Sequence, residues 1–183
     1  MKEGNRRRAL ALTCALATFV AIVPAAESDA KQVASRSACP GQTNIHAPEQ
    51  VQEQALRCLI DHVRSGGSSS NGALEQAAGR KAGDIFDCGF SHTACGRPFD
   101  GYAKQYGYTS GTSGWKLGEN LAWGKRKRGS ARNALKAWLN SPPHRATLLS
   151  GSFEHIGIGL KRGRFGGASK SAVWVLQIGC RGC

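Results

Sequence analysis

Beyond its first residues, the chain lacks any apolar run that approaches the length of a membrane span. A transmembrane helix needs about 20 consecutive apolar residues, and the longest run, Ala9–Val23, is shorter and follows a basic stretch that ends at Arg8. A short apolar run behind basic residues is typical of a secretory signal peptide. We therefore predict a signal peptide over residues 1–25, no transmembrane segment, and a secreted, extracellular mature protein. Small residues permit cleavage after Ala25 or after Ala30.

Acidic residues are also scarce. The chain has 12 Asp and Glu against 25 Lys and Arg, a formal net charge of +13. A surplus of positive charge favours anionic partners, which outside a cell are lipid head groups, acidic cell-wall polymers or anionic glycans. No nucleic-acid-binding motif is present, so we expect no nucleic-acid partner. The densest cationic run, Lys125–Arg128, is either a contact surface or a solvated turn.

Six of the seven cysteines lie outside the predicted leader, which contains Cys14. An even number of cysteines behind an export signal is typical of a disulfide framework. The C-terminal CxxC motif would also suit zinc, but the chain has no second CxxC pair to complete such a site. The local spacing favours two short-range pairs, and the third pair follows by elimination. The predicted disulfides are Cys39–Cys58, Cys88–Cys95 and Cys180–Cys183.

Helical periodicity predicts four helices after a polar, extended segment over residues 26–47 that only Cys39 holds in place. The folded domain covers residues 48–183. The first helix begins near Pro48 and ends at the glycines that follow Arg64, and the second begins after a plausible N-cap at Asn71. The last two predicted helices are Phe99–Tyr106 and a helix capped by Ser130 that Pro142 and Pro143 end.

Alternating apolar residues predict strands over Trp115–Trp123, Ile156–Leu160 and Val173–Ile178. Because helices precede strands along the chain, the fold class is α+β. Glu119 interrupts the inward face of the first strand. A buried carboxylate must be ion-paired, hydrogen-bonded or bound to a metal, because an uncompensated buried charge is costly. The alternative is that Glu119 ties down a loop through backbone amides.

Four short motifs occur in order along the chain: Phe90–His92, Gly118–Ala122, Ala137–Arg145 and Ile156–Gly159. Together they resemble the bacterial branch of the CAP superfamily, the cysteine-rich secretory, antigen 5 and pathogenesis-related proteins. Their order and spacing both agree with that family. The resemblance implies a disulfide-stapled, three-layer α-β-α sandwich in which helices flank a small antiparallel sheet.

The same resemblance implies a cleft that is lined by His92, Glu119 and His144. In several family members such a cluster holds a divalent metal, and two imidazoles with one carboxylate would suit zinc with an open position for an activated water. The sequence departs from the eukaryotic pattern, because Ser141 replaces a glutamate and Val173–Leu176 replaces a histidine-containing signature. The alternative is that both histidines hydrogen-bond their neighbours and join loops to the sheet.

The resemblance favours a non-catalytic extracellular binding module for a lipid or sterol, cell-wall material or a surface partner. The alternative is a metal-dependent hydrolase or protease, with Glu119 as ligand or general base. A serine hydrolase that uses Ser91 or Ser141 is a weaker alternative, because neither serine has a nucleophile-elbow context. A durable surface protein without a functional pocket is a further alternative.

Overall fold

The computed structural model describes residues 33–64 and 67–183. The predicted signal peptide lies outside these residues. The described chain forms five α-helices and four β-strands. The helices are α1 (Glu49–Val63), α2 (Gly72–Cys88), α3 (Gly101–Gln105), α4 (Ala131–Leu139) and α5 (Pro142–Leu149). The strands are β1 (Ser69–Ser70), β2 (Trp115–Lys125), β3 (His155–Phe165) and β4 (Ala168–Arg181).

The strands form one sheet in the order β1-β3-β4-β2. The long strand β4 pairs antiparallel with β2 on one side and with β3 on the other, whereas the two-residue strand β1 pairs parallel with β3. This register places Glu119 of β2 directly opposite Gln177 of β4. Helices cover both faces of the sheet, so that the predicted three-layer α-β-α sandwich of class α+β is confirmed.

The alternation of β4 divides the core into two layers. Trp174, Leu176 and Ile178 pack with α1 and α4, and Val173 and Val175 pack with α2. Successive side chains of a strand point to opposite faces, and β4 is buried on both, which explains its nearly continuous apolar sequence. Glu119 lies on the α2 face because its strand neighbour Leu121 belongs to that layer.

The helix boundaries confirm part of the sequence prediction and correct the rest. Asn71 caps α2, because its Oδ1 accepts from the backbone N–H groups of Ala73 and Leu74 at 3.1 and 3.2 Å. Ser130 lies at the N-cap position of α4, but its side chain makes no capping bond. The prolines were expected only to end a helix, and instead they begin α5. A proline fits the first helical turn, where its missing N–H needs no partner.

Residues 33–47 are held by more than Cys39, contrary to the prediction. Gln42 is buried, and its Nε2 donates to the carbonyls of Ser35 and Cys39 at 2.8 and 2.9 Å. Arg132 of α4 donates to the carbonyl of Ala34 at 2.8 Å. Because these bonds satisfy backbone carbonyls, the segment forms a set of turns against α4 rather than an extended tail.

All three predicted disulfides are present: Cys39–Cys58, Cys88–Cys95 and Cys180–Cys183. The first joins the turns before α1 to that helix, and the second closes the loop that follows α2. The third occupies both cysteines of the CxxC motif, so the zinc alternative at that motif is wrong. Within residues 33–64 and 67–183, no helix is long and apolar enough to cross a membrane.

Candidate functional site

A buried carboxylate and a half-exposed imidazole form the centre of the candidate site. Glu119 Oε1 lies 2.7 Å from His92 Nδ1, and the two side chains are 1% and 52% exposed. Strand β2 places Glu119 under α2, and the loop closed by the Cys88–Cys95 disulfide brings His92 over it. The two predicted residues are therefore brought together, with the histidine as the solvent-facing partner.

The second carboxylate oxygen is bound from within the sheet. Gln177 lies opposite Glu119 in the register, and its Nε2 donates to Glu119 Oε2 at 2.5 Å. The same amide donates to the carbonyl of Phe99 at 3.2 Å. Glu119 Oε1 thus joins the His92 loop to the sheet, and Oε2 joins β2 to β4 through Gln177. The loop is therefore held by a contact between the side chains of His92 and Glu119. The alternative that Glu119 ties down a loop through backbone amides does not describe this contact.

Lys81 is a member of this site that the sequence analysis missed. It is 1% exposed, and its Nζ donates to the carbonyl of His92 at 2.5 Å and to that of Arg97 at 3.5 Å. A signal was available, because Lys81 falls on the apolar stripe of α2 one turn after Ala77 and Ala78. A lysine at a core-facing position requires acceptors nearby, and here they come from the clamped loop.

The electrostatics of Glu119 reflect its burial. Removal from water raises the pKa of Glu119, while the hydrogen bond from His92 and the positive charge of Lys81 lower it less strongly. Desolvation disfavours the charged form of a carboxyl group, whereas donors and cations favour it. The folded protein therefore holds the proton of Glu119 to a higher pH than an exposed glutamate would.

His144 lies on α5 and is held by its own set of partners. Its Nδ1 lies 2.7 Å from Ser141 Oγ, and its backbone carbonyl accepts from Asn120 Nδ2 at 2.8 Å. Burial, followed by the positive charge of His92, lowers the pKa of His144. The ring is therefore neutral at neutral pH, and the direction of its hydrogen bond with the Ser141 hydroxyl depends on the ring tautomer. His144 is within electrostatic reach of His92 but belongs to a separate hydrogen-bonded pair.

These contacts do not fit a zinc centre built from His92, Glu119 and His144. In the described part of the chain, no group of three or more His, Cys, Asp or Glu residues is arranged to hold a metal ion. Both Glu119 oxygens and one His92 nitrogen are already occupied by each other and by Gln177. A metal would have to displace these bonds. Zinc binding at this cleft stays a prediction.

The two candidate nucleophiles differ in their surroundings. Ser91 Oγ accepts from the backbone N–H of Thr93 at 3.0 Å, as in a local turn. Ser141 does bond to a histidine, but a triad also needs a carboxylate on the far nitrogen of the ring. No carboxylate of residues 33–64 or 67–183 hydrogen-bonds or ion-pairs with His144. The serine hydrolase alternative therefore has a serine–histidine pair but no complete triad.

Comparison with known proteins agrees with the fold. The model of the CAP family, described as the cysteine-rich secretory protein family, matches residues 50–178. This chain belongs to that family. It is 36% identical over 108 residues to the uncharacterized protein YkwD of Bacillus subtilis (strain 168). The match covers 57% of this chain and 36% of that relative, so the chain spans about a third of the relative's length.

Two solved structures share the architecture. An outer surface protein of Borrelia burgdorferi matches with a TM-score of 0.58 at 21% identity, over 74% of this chain and 96% of that one. An extracellular SCP-domain protein of Bacillus anthracis str. Ames matches with a TM-score of 0.53 at 25% identity, over 70% of this chain and 40% of that one. The first likeness concerns the fold alone.

Proposed function

We propose that the protein is a secreted, non-catalytic binding module that recognises extracellular material: a lipid or sterol, a cell-wall component or a surface partner. The observation that carries the proposal is the state of Glu119. Its Oε1 is hydrogen-bonded to His92, which ties the His92 loop to the sheet, and its Oε2 accepts from Gln177 of the neighbouring strand β4. A buried carboxylate with both oxygens hydrogen-bonded supports the scaffold, and a metal or a substrate would have to compete with those bonds.

Further features support an extracellular role. The three disulfides are bonds that persist in oxidising compartments. One structural relative, at 25% identity, is an extracellular protein by description. The net charge of +13 favours attraction to the anionic polymers and lipids that surround cells. Binding through the outer surface of a rigid sandwich does not require a metal centre or a catalytic triad.

The experiment combines metal analysis with binding. The disulfide-intact mature protein is dialysed against trace zinc, its metal content is measured by elemental analysis, and its co-sedimentation with purified cell walls and with sterol-containing vesicles is measured in parallel. We expect sub-stoichiometric zinc, no turnover of peptide or ester substrates, and retention on at least one extracellular material. Glu119→Gln should sediment like the wild type.

The contradicting results are specific. Near-stoichiometric zinc that is lost in His92→Ala and His144→Ala, but kept in the exposed control His62→Ala, would show that the cleft is a metal centre. Ester or peptide turnover that disappears in Ser141→Ala would instead assign hydrolysis to the Ser141–His144 pair. Either result, or a failure to sediment with every material offered, would overturn the proposed binding role.

A further inference from the structure

A basic groove lies at the end of the sheet that is remote from the C-terminal disulfide. It consists of two adjoining cavities of about 430 and 560 Å³, which share Ile45, His46, Arg126 and Lys170 in their walls. The cationic loop after β2, the start of β4 and the turns before α1 converge there. The six lysines and arginines of this basic groove are Lys125, Arg126, Lys127, Arg128, Arg162 and Lys170.

The positive charge of the basic groove is largely uncompensated. Glu49 is the acidic residue in its walls, and its Oε1 already accepts from the backbone N–H of Arg162 at 3.0 Å and lies 3.6 Å from Arg162 Nε. Among the residues that the structure describes, the side chains of Lys125–Arg128 and Lys170 make no ion pair and no hydrogen bond. Clustered like charges repel one another, so an anion that binds between them relieves a cost already present in the fold.

Two of these cations also occupy an unfavourable backbone conformation. Arg126 and Lys170 have φ angles of +52° and +56°, in the left-handed region that glycine adopts without penalty. A non-glycine residue is strained there, and such strain clusters at functional sites. The third such residue in the described chain, Cys95, is held by its disulfide.

Two buried polar atoms in the walls of the basic groove lack a hydrogen bond. Gln52 is 1% exposed, and its Oε1 has no hydrogen bond among the described residues. Its Nε2 donates to the carbonyl of Ala47 at 2.9 Å, which fixes the orientation of the amide. The buried Nε of Arg162 likewise makes no hydrogen bond to the described chain, while its Nη1 donates to the carbonyl of Ile45 at 2.8 Å. Because Arg162 Nε faces Glu49 Oε1 at 3.6 Å, the groove offers one preset acceptor, Gln52 Oε1, beside its free cations.

We propose that the basic groove binds a linear extracellular polymer that carries both hydroxyl groups and phosphate or carboxylate groups, such as an acidic sugar chain or a polyol-phosphate chain. Gln52 Oε1 would accept from a hydroxyl, and the arginines would donate to the anionic groups, for which their fork geometry is suited. The concave shape fits a single chain better than the flat surface of a bilayer. This assignment rests on the proposed binding role and names its site and ligand class.

The test uses polygalacturonate and a glycerol-phosphate polymer as probes, with titration calorimetry at several salt concentrations. The variant Arg126→Gly/Lys170→Gly removes two cations and, at the same positions, the left-handed strain, so its thermal midpoint should stay close to that of the wild type. We expect its affinity for at least one probe to fall about tenfold or more. The slope of log K against log salt concentration should become shallower by about 1.4. Each anionic group neutralised contributes about 0.7 to that slope, and the variant lacks two cations.

The control Arg80→Ala/Lys136→Ala removes the same charge from exposed positions on α2 and α4. It should bind both probes within about twofold of the wild type, because surface charges away from the contact act only weakly through salt. An equal loss of affinity in the control would mean that the effect reflects net charge alone. Unchanged affinity of the Arg126→Gly/Lys170→Gly variant would mean that the ligand binds elsewhere. Preferential binding to phosphatidylglycerol vesicles through Arg126 and Lys170 would assign the groove to a membrane surface. Each of these results overturns the groove assignment and leaves the binding role intact.

Discussion

Glu119 experiences two opposing influences that set its protonation. Burial under α2 raises its pKa, and the donors His92 and Gln177, together with the charge of Lys81, act against that rise. Burial is the larger effect, so ionisation of Glu119 costs more in the folded chain than in the unfolded one. The residue therefore links the stability of the fold to pH.

The sign of this linkage follows from the raised pKa. A group that holds its proton more tightly when folded contributes stability fully below its unfolded pKa and loses it as pH rises through the folded pKa. The side chain of Glu119→Gln cannot ionise. The free energy of unfolding of this variant should therefore rise relative to that of the wild type as pH increases from the ordinary glutamate range toward neutrality. Urea denaturation at a series of pH values measures this difference.

The exposed carboxylate of Asp87 provides the control. Asp87→Asn alters the charge at the end of α2 without touching the His92 loop, so it reports the contribution of charge alone. If Glu119→Gln loses stability relative to the wild type as pH rises, the carboxylate form is the one that the site favours. In that case the hydrogen bonds from His92 and Gln177 outweigh burial, contrary to our assignment.

At the scale of elements, α2 packs on β3 through two glycines. A Cβ on Gly157 would lie 2.0 Å from the backbone carbon of Leu74, and one on Gly159 would lie 2.3 Å from that of Ala78. Such approach is open only to residues without a Cβ. The Ile156–Gly159 motif thus alternates residues that pack toward α1 with glycines that admit α2, and this contact sets the height of α2 above the site.

Replacement of Gly157 should break that contact. Gly157→Ala forces α2 away from the sheet, and we expect a loss of about 3 kcal/mol or more, because the obstructing atoms are backbone and cannot rotate away. The free energy of unfolding from urea titration measures it. The displacement should also lengthen the contact between Lys81 and the His92 loop, which an NMR shift of the His92 ring would report.

Gly151→Ala is the matched control, because a Cβ at that position meets no atom within 4 Å. Its effect should stay within about 0.5 kcal/mol, the ordinary range for a surface change. Equal stability of the two variants would mean that α2 and β3 separate without cost. The packing described for the Ile156–Gly159 motif would then be wrong.

At the scale of the whole molecule, the disulfides join peripheral loops to a core that the sheet organises. Cys39–Cys58 fastens the turns that form one wall of the basic groove, and Cys88–Cys95 fastens the loop that carries His92. A disulfide stabilises the fold chiefly by restricting the unfolded chain, and more so for longer loops. The longest of the three, Cys39–Cys58, is therefore expected to contribute most.

Reduction should lower stability without abolishing the core. Each bond contributes about 2–3 kcal/mol at the loop lengths found here, so dithiothreitol should lower the free energy of unfolding by several kcal/mol. Denaturant unfolding with and without reductant measures the difference. The variant Cys39→Ser/Cys58→Ser should show a larger loss than Cys180→Ser/Cys183→Ser. The reverse order would indicate that the turns before α1 are held mainly by Gln42 and Arg132.

Local pattern in the sequence was sufficient for the class of the fold. The apolar stripe of α2, the Asn71 cap and the alternation of β2 follow from periods and side-chain preferences that neighbouring residues set. The cysteine spacing was sufficient for the disulfide pairs, and the position of Glu119 on an inward face implied that it had partners. These features depend on residues that are close together in the sequence, or on the position of one residue within its own strand.

Only the tertiary structure decided which groups meet. Gln177 reaches Glu119 because of the register between β2 and β4, and Lys81 reaches the His92 loop because two glycines of β3 admit α2 so closely. The basic groove brings Gln52 together with Arg126 and Lys170, which are distant along the chain. Contacts of this kind depend on packing and register between remote segments, and short-range sequence patterns show that a buried charge needs partners but do not identify them.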